Sequence, residues 1–137
     1  MPFDWKKYLS FSTDLVAEAD LTDKAEEKYR ISISRAYYSI FNPIKLALVT
    51  QIGPIPRGKK THRWVIEQLE ERGRHDDDHK QAAIKLSRMQ LRRETADYEG
   101  HFNPSGAAYS TPEAIARDTI KQVGDIYDLL GSIQTYR

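Results

Sequence analysis

Between Ala82 and Ala96 the apolar residues recur at helical spacing: Ala82, Leu86, Met89 and then Ala96. The vacant position on that stripe is 93, and it holds an arginine, with Asp97 one turn later and Tyr98 beside it. A guanidinium on the packed face of a helix is costly unless it is paired or used. Arg93-Glu-Thr-Ala-Asp-Tyr98 is therefore the first candidate site. Arg93 is a permanent cation whose planar fork matches phosphate oxygens. Asp97 can hold that fork in place across one helical turn. Tyr98 can donate a hydrogen bond to phosphate or stack on a base. His101, three residues on, titrates near neutrality and can serve as acid or base if its segment returns to the helix end. Together these are the parts of metal-independent RNA cleavage: a base for the 2′-hydroxyl, an acid for the leaving oxygen, and a cation for the transition state. The same residues also suit RNA binding without cleavage. A third reading is structural, with Arg93 and Asp97 locking this helix to a neighbour through Tyr37 or Tyr38.

Other polar positions are weaker. Arg35 lies between tyrosine-rich turns, where it can reach a phosphate or pack its stem and pair with an acid. His62 follows Thr61 and can contact nucleic acid or tie down a loop. Two local basic clusters stand out, Arg57, Lys59, Lys60, His62 and Arg63, and Arg88, Arg92 and Arg93; the simpler reading of both is solvated surface. His75-Asp-Asp-Asp-His79 has metal-ligand residue types at a four-residue step. It straddles a helix start, where acids act as caps, and no third remote ligand is evident, so no metal is expected. No glycine-rich phosphate loop, nucleophile elbow or zinc-protease motif is present, and no cofactor is expected.

Five helices must position these groups. The first is expected from Asp4, its cap, to Ala19, with Trp5, Tyr8, Leu9, Leu15 and Val16 as apolar contacts. The second starts near Thr22 or Asp23 and ends by Gly53. Its residues Tyr29, Ile33, Ala36, Tyr37, Ile40 and Ile44 cover so much of the circumference that it belongs at the centre of a bundle. Pro43 predicts a kink or restart at Phe41–Asn42. The third helix is expected to be capped by Thr61 and to end at Gly73, and the fourth runs from Asp78 to Tyr98. Residues 99–110 read as loop, and Thr111-Pro-Glu opens the fifth helix with a cap, a first-turn proline and an acid. Nothing alternates as a strand would, so the fold class is an all-α antiparallel bundle of four to five helices. Tyr8, Tyr29, Tyr37, Tyr38, Tyr127 and Tyr136 fall mostly at bundle spacing and read as packing residues.

The 137 residues fit one domain, 1–137, with its own core. Hydrophobic content of 39% and charged content of 30% suit a globular chain and not a disordered one. With 21 basic and 20 acidic residues the net charge is +1, so any nucleic-acid site must come from local clustering or from a dimer. There are no cysteines, which excludes disulfides, thiol catalysis and Cys-ligated metals. No membrane span or secretory leader is expected, and a cytoplasmic setting follows.

The ordered set Arg30-Ile-Ser-Ile-Ser-Arg-Ala-Tyr-Tyr-Ser-Ile-Phe41, then Lys60-Thr-His62, then Arg93-Glu-Thr-Ala-Asp-Tyr98 resembles HEPN-domain proteins, particularly a small stand-alone branch. The resemblance covers about residues 5–130. It implies a helical bundle that often dimerises and works near RNA, either as a metal-independent ribonuclease of toxin–antitoxin and antiviral defence systems or as a catalytically inactive binding module. It also implies a nucleotidyltransferase or antitoxin as partner. The catalytic family motif has a histidine after the arginine with four to six residues between them, near the end of a late helix. Here the position aligned with that histidine, just before Asp97-Tyr98, holds Ala96, and seven residues separate Arg93 from His101, one more than the motif has. Arg57 and His62 have the motif spacing but lie in a loop and at a helix start. On this reading the chain is a non-catalytic or degenerate RNA-associated HEPN module of such a system. The alternatives are a ribonuclease toxin using Arg93 with Tyr98 and His101, and a purely structural dimer subunit.

Overall fold

The computed structural model describes residues 3–19, 23–100 and 111–131. Five helices follow in order: α1 Lys6–Ala19, α2 Ala25–Ile52, α3 Thr61–Gly73, α4 Asp77–Tyr98 and α5 Pro112–Gly131. There is no strand among the described residues, so the all-α expectation holds. The long α2 is central and touches each of the other four helices, while α4 packs against α2, α3 and α5.

The helix ends follow local chemistry, with some shifts from expectation. The Asp4 carboxylate accepts from the Lys6 amide at 3.1 Å, two residues into the first turn. Asp76, rather than Asp78, opens α4, and its side chain accepts from the Asp78 amide. Thr111 caps α5 as expected, its hydroxyl accepting from the Ala114 amide at 3.1 Å. Thr61 does not cap α3; it is the first helical residue, after an extended Lys60 that makes no side-chain cap bond. Lys24 occupies the cap position of α2, again without a side-chain bond; Thr22 lies outside the described residues.

Pro43 does not break α2, which runs unbroken for 28 residues. Proline withholds the amide that would bond the carbonyl four residues back, that of Ser39. The Tyr127 hydroxyl of α5 donates to that carbonyl at 2.5 Å. The orphaned acceptor is thus satisfied from a neighbouring helix, which removes the penalty that would otherwise favour a restart.

Two apolar clusters form the interior. The larger joins Tyr37, Ile40, Phe41 and Ile44 of α2 to Trp64 and Leu69 of α3, Leu86 and Met89 of α4, and Val123 and Ile126 of α5. The smaller joins Val16 and Ala19 of α1 to Tyr29 and Ile33 of α2, Ala96 of α4 and Ile115 of α5. On α4, Met89 belongs to the first and Ala96 to the second, so Arg93 falls at the seam between them.

Candidate functional site

Arg93 is buried, with 7% of its surface exposed. Its guanidinium carbon lies 5.8 Å from the ring centre of Tyr37, 5.6 Å from that of Tyr38 and 5.9 Å from that of Tyr98. Three ring faces within about 6 Å constitute a cation–π environment, which offsets much of the cost of desolvating the charge. Two carboxylates add loose ion pairs: Asp97 at 3.5 Å from one terminal nitrogen and Glu94 at 4.0 Å from the other. Arg93 Nε finds no acceptor among the described residues. The vacancy in the apolar stripe of α4 is therefore filled by a cation wrapped in aromatic rings, with hydrogen-bonding capacity left over.

Tyr37 and Tyr38 come from the middle of α2. The Tyr37 hydroxyl is 2.6 Å from His62 Nδ1 at the start of α3. Burial pushes the Tyr37 phenol well above its ordinary range. Burial, and then the positive charge of Arg93, lowers the His62 pKa. The phenol accordingly keeps its proton beside a neutral imidazole, and which of the two donates across this bond follows the imidazole tautomer. The imidazole stacks on Phe41, ring centres 4.2 Å apart. His62 thus joins the Arg93 cluster through Tyr37, a connection that its position beside Thr61 did not suggest.

Asp97 is also approached by the Ser34 hydroxyl of α2 at 3.4 Å. Arg30, the first residue of the motif-bearing segment of α2, donates to the carbonyls of Ala96 at 3.0 Å, Glu99 at 2.7 Å and Gly100 at 3.3 Å. These are carbonyls at the end of α4 that no further helical turn can satisfy, so Arg30 pins the helix end that carries Asp97 and Tyr98. Sequence reasoning gave Arg30 and Ser34 no role. The only signal was indirect: α4 has no basic residue in its last turn, which leaves its end carbonyls to donors from outside that turn.

Other candidates lie apart from this cluster. Arg92 turns toward α5, where it pairs with Asp118 at 2.7 Å and donates to the Thr119 hydroxyl at 3.2 Å. Arg88 is exposed. The sequence cluster of Arg88, Arg92 and Arg93 therefore projects in three directions and forms no common patch. Arg35 is exposed over the Tyr8 ring, 5.3 Å from its centre. Lys59 and Arg63 both hold Glu67, at 2.8 and 3.1 Å, and the Lys59 hydrogen bond foremost lowers that carboxylate's pKa. His79 is hydrogen-bonded to Asp76, and His75 is exposed. Among the described residues no three His, Asp or Glu side chains converge as a metal site. Nor is any described helix long and apolar enough to cross a membrane. His101 and Tyr136 lie outside the described residues.

The aromatic box thus draws together the three segments, on α2, α3 and α4, whose order suggested a family. The model of the HEPN domain matches residues 15–133, most of the chain. The chain belongs to the HEPN-domain family. No curated protein matches it significantly. Within this HEPN domain the arginine of α4 lies inward against α2 and ends under Tyr98, which is 77% exposed. The outer face of that ring is open to a planar group, and its inner face lies against a cation.

Proposed function

We propose that this HEPN-domain chain binds single-stranded RNA without cleaving it, as a regulatory module of a toxin–antitoxin or antiviral defence system in the cytoplasm. The observation that carries the reading is the exposed Tyr98 ring over the Arg93 guanidinium. An open ring face stacks on any base, worth about 1–3 kcal/mol per base. The buried Arg93 charge beneath it attracts the adjoining phosphate through its field rather than by direct contact. His62 favours binding over cleavage: its Nδ1 is engaged by Tyr37, and burial and the Arg93 charge lower its pKa, which makes the ring a weaker base for a 2′-hydroxyl. Tyr98, Glu99 and Gly100 fill the positions where the catalytic spacing from Arg93 would put a histidine, which points the same way. A nucleotidyltransferase or antitoxin is the protein partner that fits this role.

The test is titration of a labelled RNA oligonucleotide by fluorescence anisotropy at several salt concentrations. Affinity is expected to fall as salt rises, because phosphate contacts release counterions. Tyr98→Ala is expected to weaken it about tenfold. Absence of binding, or binding indifferent to Tyr98→Ala, would overturn the reading.

A second reading, a metal-independent ribonuclease, draws on the meeting of Arg93 and His62 at Tyr37. If RNA displaced the Tyr37 hydroxyl, the imidazole would regain a free nitrogen beside a phosphate-binding cation. His101 is the other candidate acid or base for that chemistry.

A further inference from the structure

The buried Arg93 guanidinium acts on a phosphate only through its field, so a strand stacked on Tyr98 needs a second cation that reaches solvent. Arg92 is taken up by Asp118 on α5, and Arg35 lies over the Tyr8 ring of α1. Lys59 and Arg63 share Glu67. Lys45 of α2 is different: it is half-buried and has no carboxylate partner among the described residues.

Lys45 also stands close to the aromatic box. Its ammonium lies 6.0 Å from the centre of the Phe41 ring, the ring on which His62 stacks. Its charge reaches that imidazole: burial and then Arg93 lower the His62 pKa, Glu94 opposes them, and Lys45 adds to the lowering. Along α2, Tyr38, Asn42 and Lys45 follow at steps of four and three and are all half-buried, so they form one stripe. The stripe starts at the box, since the ring centres of Tyr38 and Tyr98 lie 5.6 and 5.9 Å from the same Arg93 carbon. The seven residues from Tyr38 to Lys45 rise about 10.5 Å. That is the length of about three bases stacked at about 3.4 Å. Because α2 runs unbroken through Pro43, one rigid helix fixes this interval.

We propose that Lys45 is the phosphate contact of this site: a single strand stacked on Tyr98 passes over Tyr38 and follows α2, and its backbone meets the Lys45 ammonium about three nucleotides on. The inference rests on the RNA-binding reading and gives that reading a direction and a minimum strand length. A lysine suits the task because its three donors turn on a flexible stem and take a phosphate oxygen without reading sequence. This matches the base-indifferent stacking that an open tyrosine face provides. The two cations have separate roles. Arg93 supplies a fixed field from beneath the ring, and Lys45 supplies the charge-assisted hydrogen bond.

The test is an anisotropy titration with oligoadenylates of about two to eight nucleotides at several salt concentrations. With the longest strand, Lys45→Gln is expected to weaken binding several-fold. It should also lower the slope of log affinity against log salt by about 0.7, the value for one phosphate contact on a single strand. Lys45→Arg should keep the original slope. So should Lys80→Gln, which removes one charge from an exposed lysine near the start of α4 and so separates a lost contact from a change in net charge. Affinity should step up once the strand reaches about four nucleotides, and the step should be missing in Lys45→Gln. A slope unchanged in Lys45→Gln, a slope lowered equally by Lys80→Gln, or a step that survives without Lys45 would each overturn the proposal. If Tyr98→Ala weakens binding while Lys45→Gln does not, the RNA reading stands and the Lys45 contact alone falls. If no strand binds the intact chain, both fall.

Discussion

Arg93 is buried among rings as well as beside carboxylates, and this determines what its replacement does. Lysine keeps the charge but loses the flat surface that stacks on Tyr37, Tyr38 and Tyr98. Both Arg93→Lys and Arg93→Ala are expected to lower unfolding stability by about 1–3 kcal/mol, alanine more than lysine, measured by urea denaturation. Equal stability in all three proteins would show that the rings do not hold the guanidinium. His62 makes a prediction in pH. Its folded-state pKa is lowered, by burial first and by Arg93 second, so the unfolded chain takes up a proton near pH 6.5 before the folded one does. The stability that depends on neutral His62 is present above that pH and is lost as pH falls below it. The urea midpoint should therefore drop between pH 7 and pH 5.5, and the drop should be smaller in His62→Gln. The stripe gap at 93 and the acid one turn later were legible in the sequence because both lie on one helix. The Tyr37–His62 bond was not, because it joins residues 25 positions apart on different helices.

At the scale of elements, the five helices were legible from periodicity and punctuation, and Thr111-Pro112 marked the start of α5. The end signals were less reliable where tertiary contacts take over from local ones. Pro43 is the clearest case: local rules predict a kink or restart, yet α2 runs on through it, and the Tyr127 hydroxyl of α5 meets the Ser39 carbonyl across 88 residues. Burial pushes that phenol up to about 12, which keeps the donor protonated over the whole ordinary pH range. Tyr127→Phe is expected to cost about 1 kcal/mol. In a Pro43→Ala background the cost should shrink, because the restored amide can take the same carbonyl. A double-mutant cycle by thermal or chemical denaturation reads this coupling directly. Strict additivity would mean that the hydroxyl and the proline act separately. Arg30 works in a similar way at the end of α4, satisfying carbonyls 66 to 70 residues away. Such long-range side-chain-to-backbone bonds leave no periodic trace in a sequence.

For the whole molecule, a near-zero net charge and three arginines that project apart argue against a broad electrostatic surface for nucleic acid. The case for RNA rests on one compact feature at the end of α4, where α2 supplies the box, Arg30 fixes the helix end and Tyr98 presents the open ring. Family membership alone fits both a nuclease and a binding module, and the state of His62 favours the latter. The measurement that separates them most directly is incubation of mixed RNA with excess protein in EDTA, reading strand length and end chemistry, with Arg93→Ala alongside. The account predicts that every strand survives intact. Fragments ending in 2′,3′-cyclic phosphate, absent with Arg93→Ala, would contradict it and make Arg93 the cation of a working nuclease.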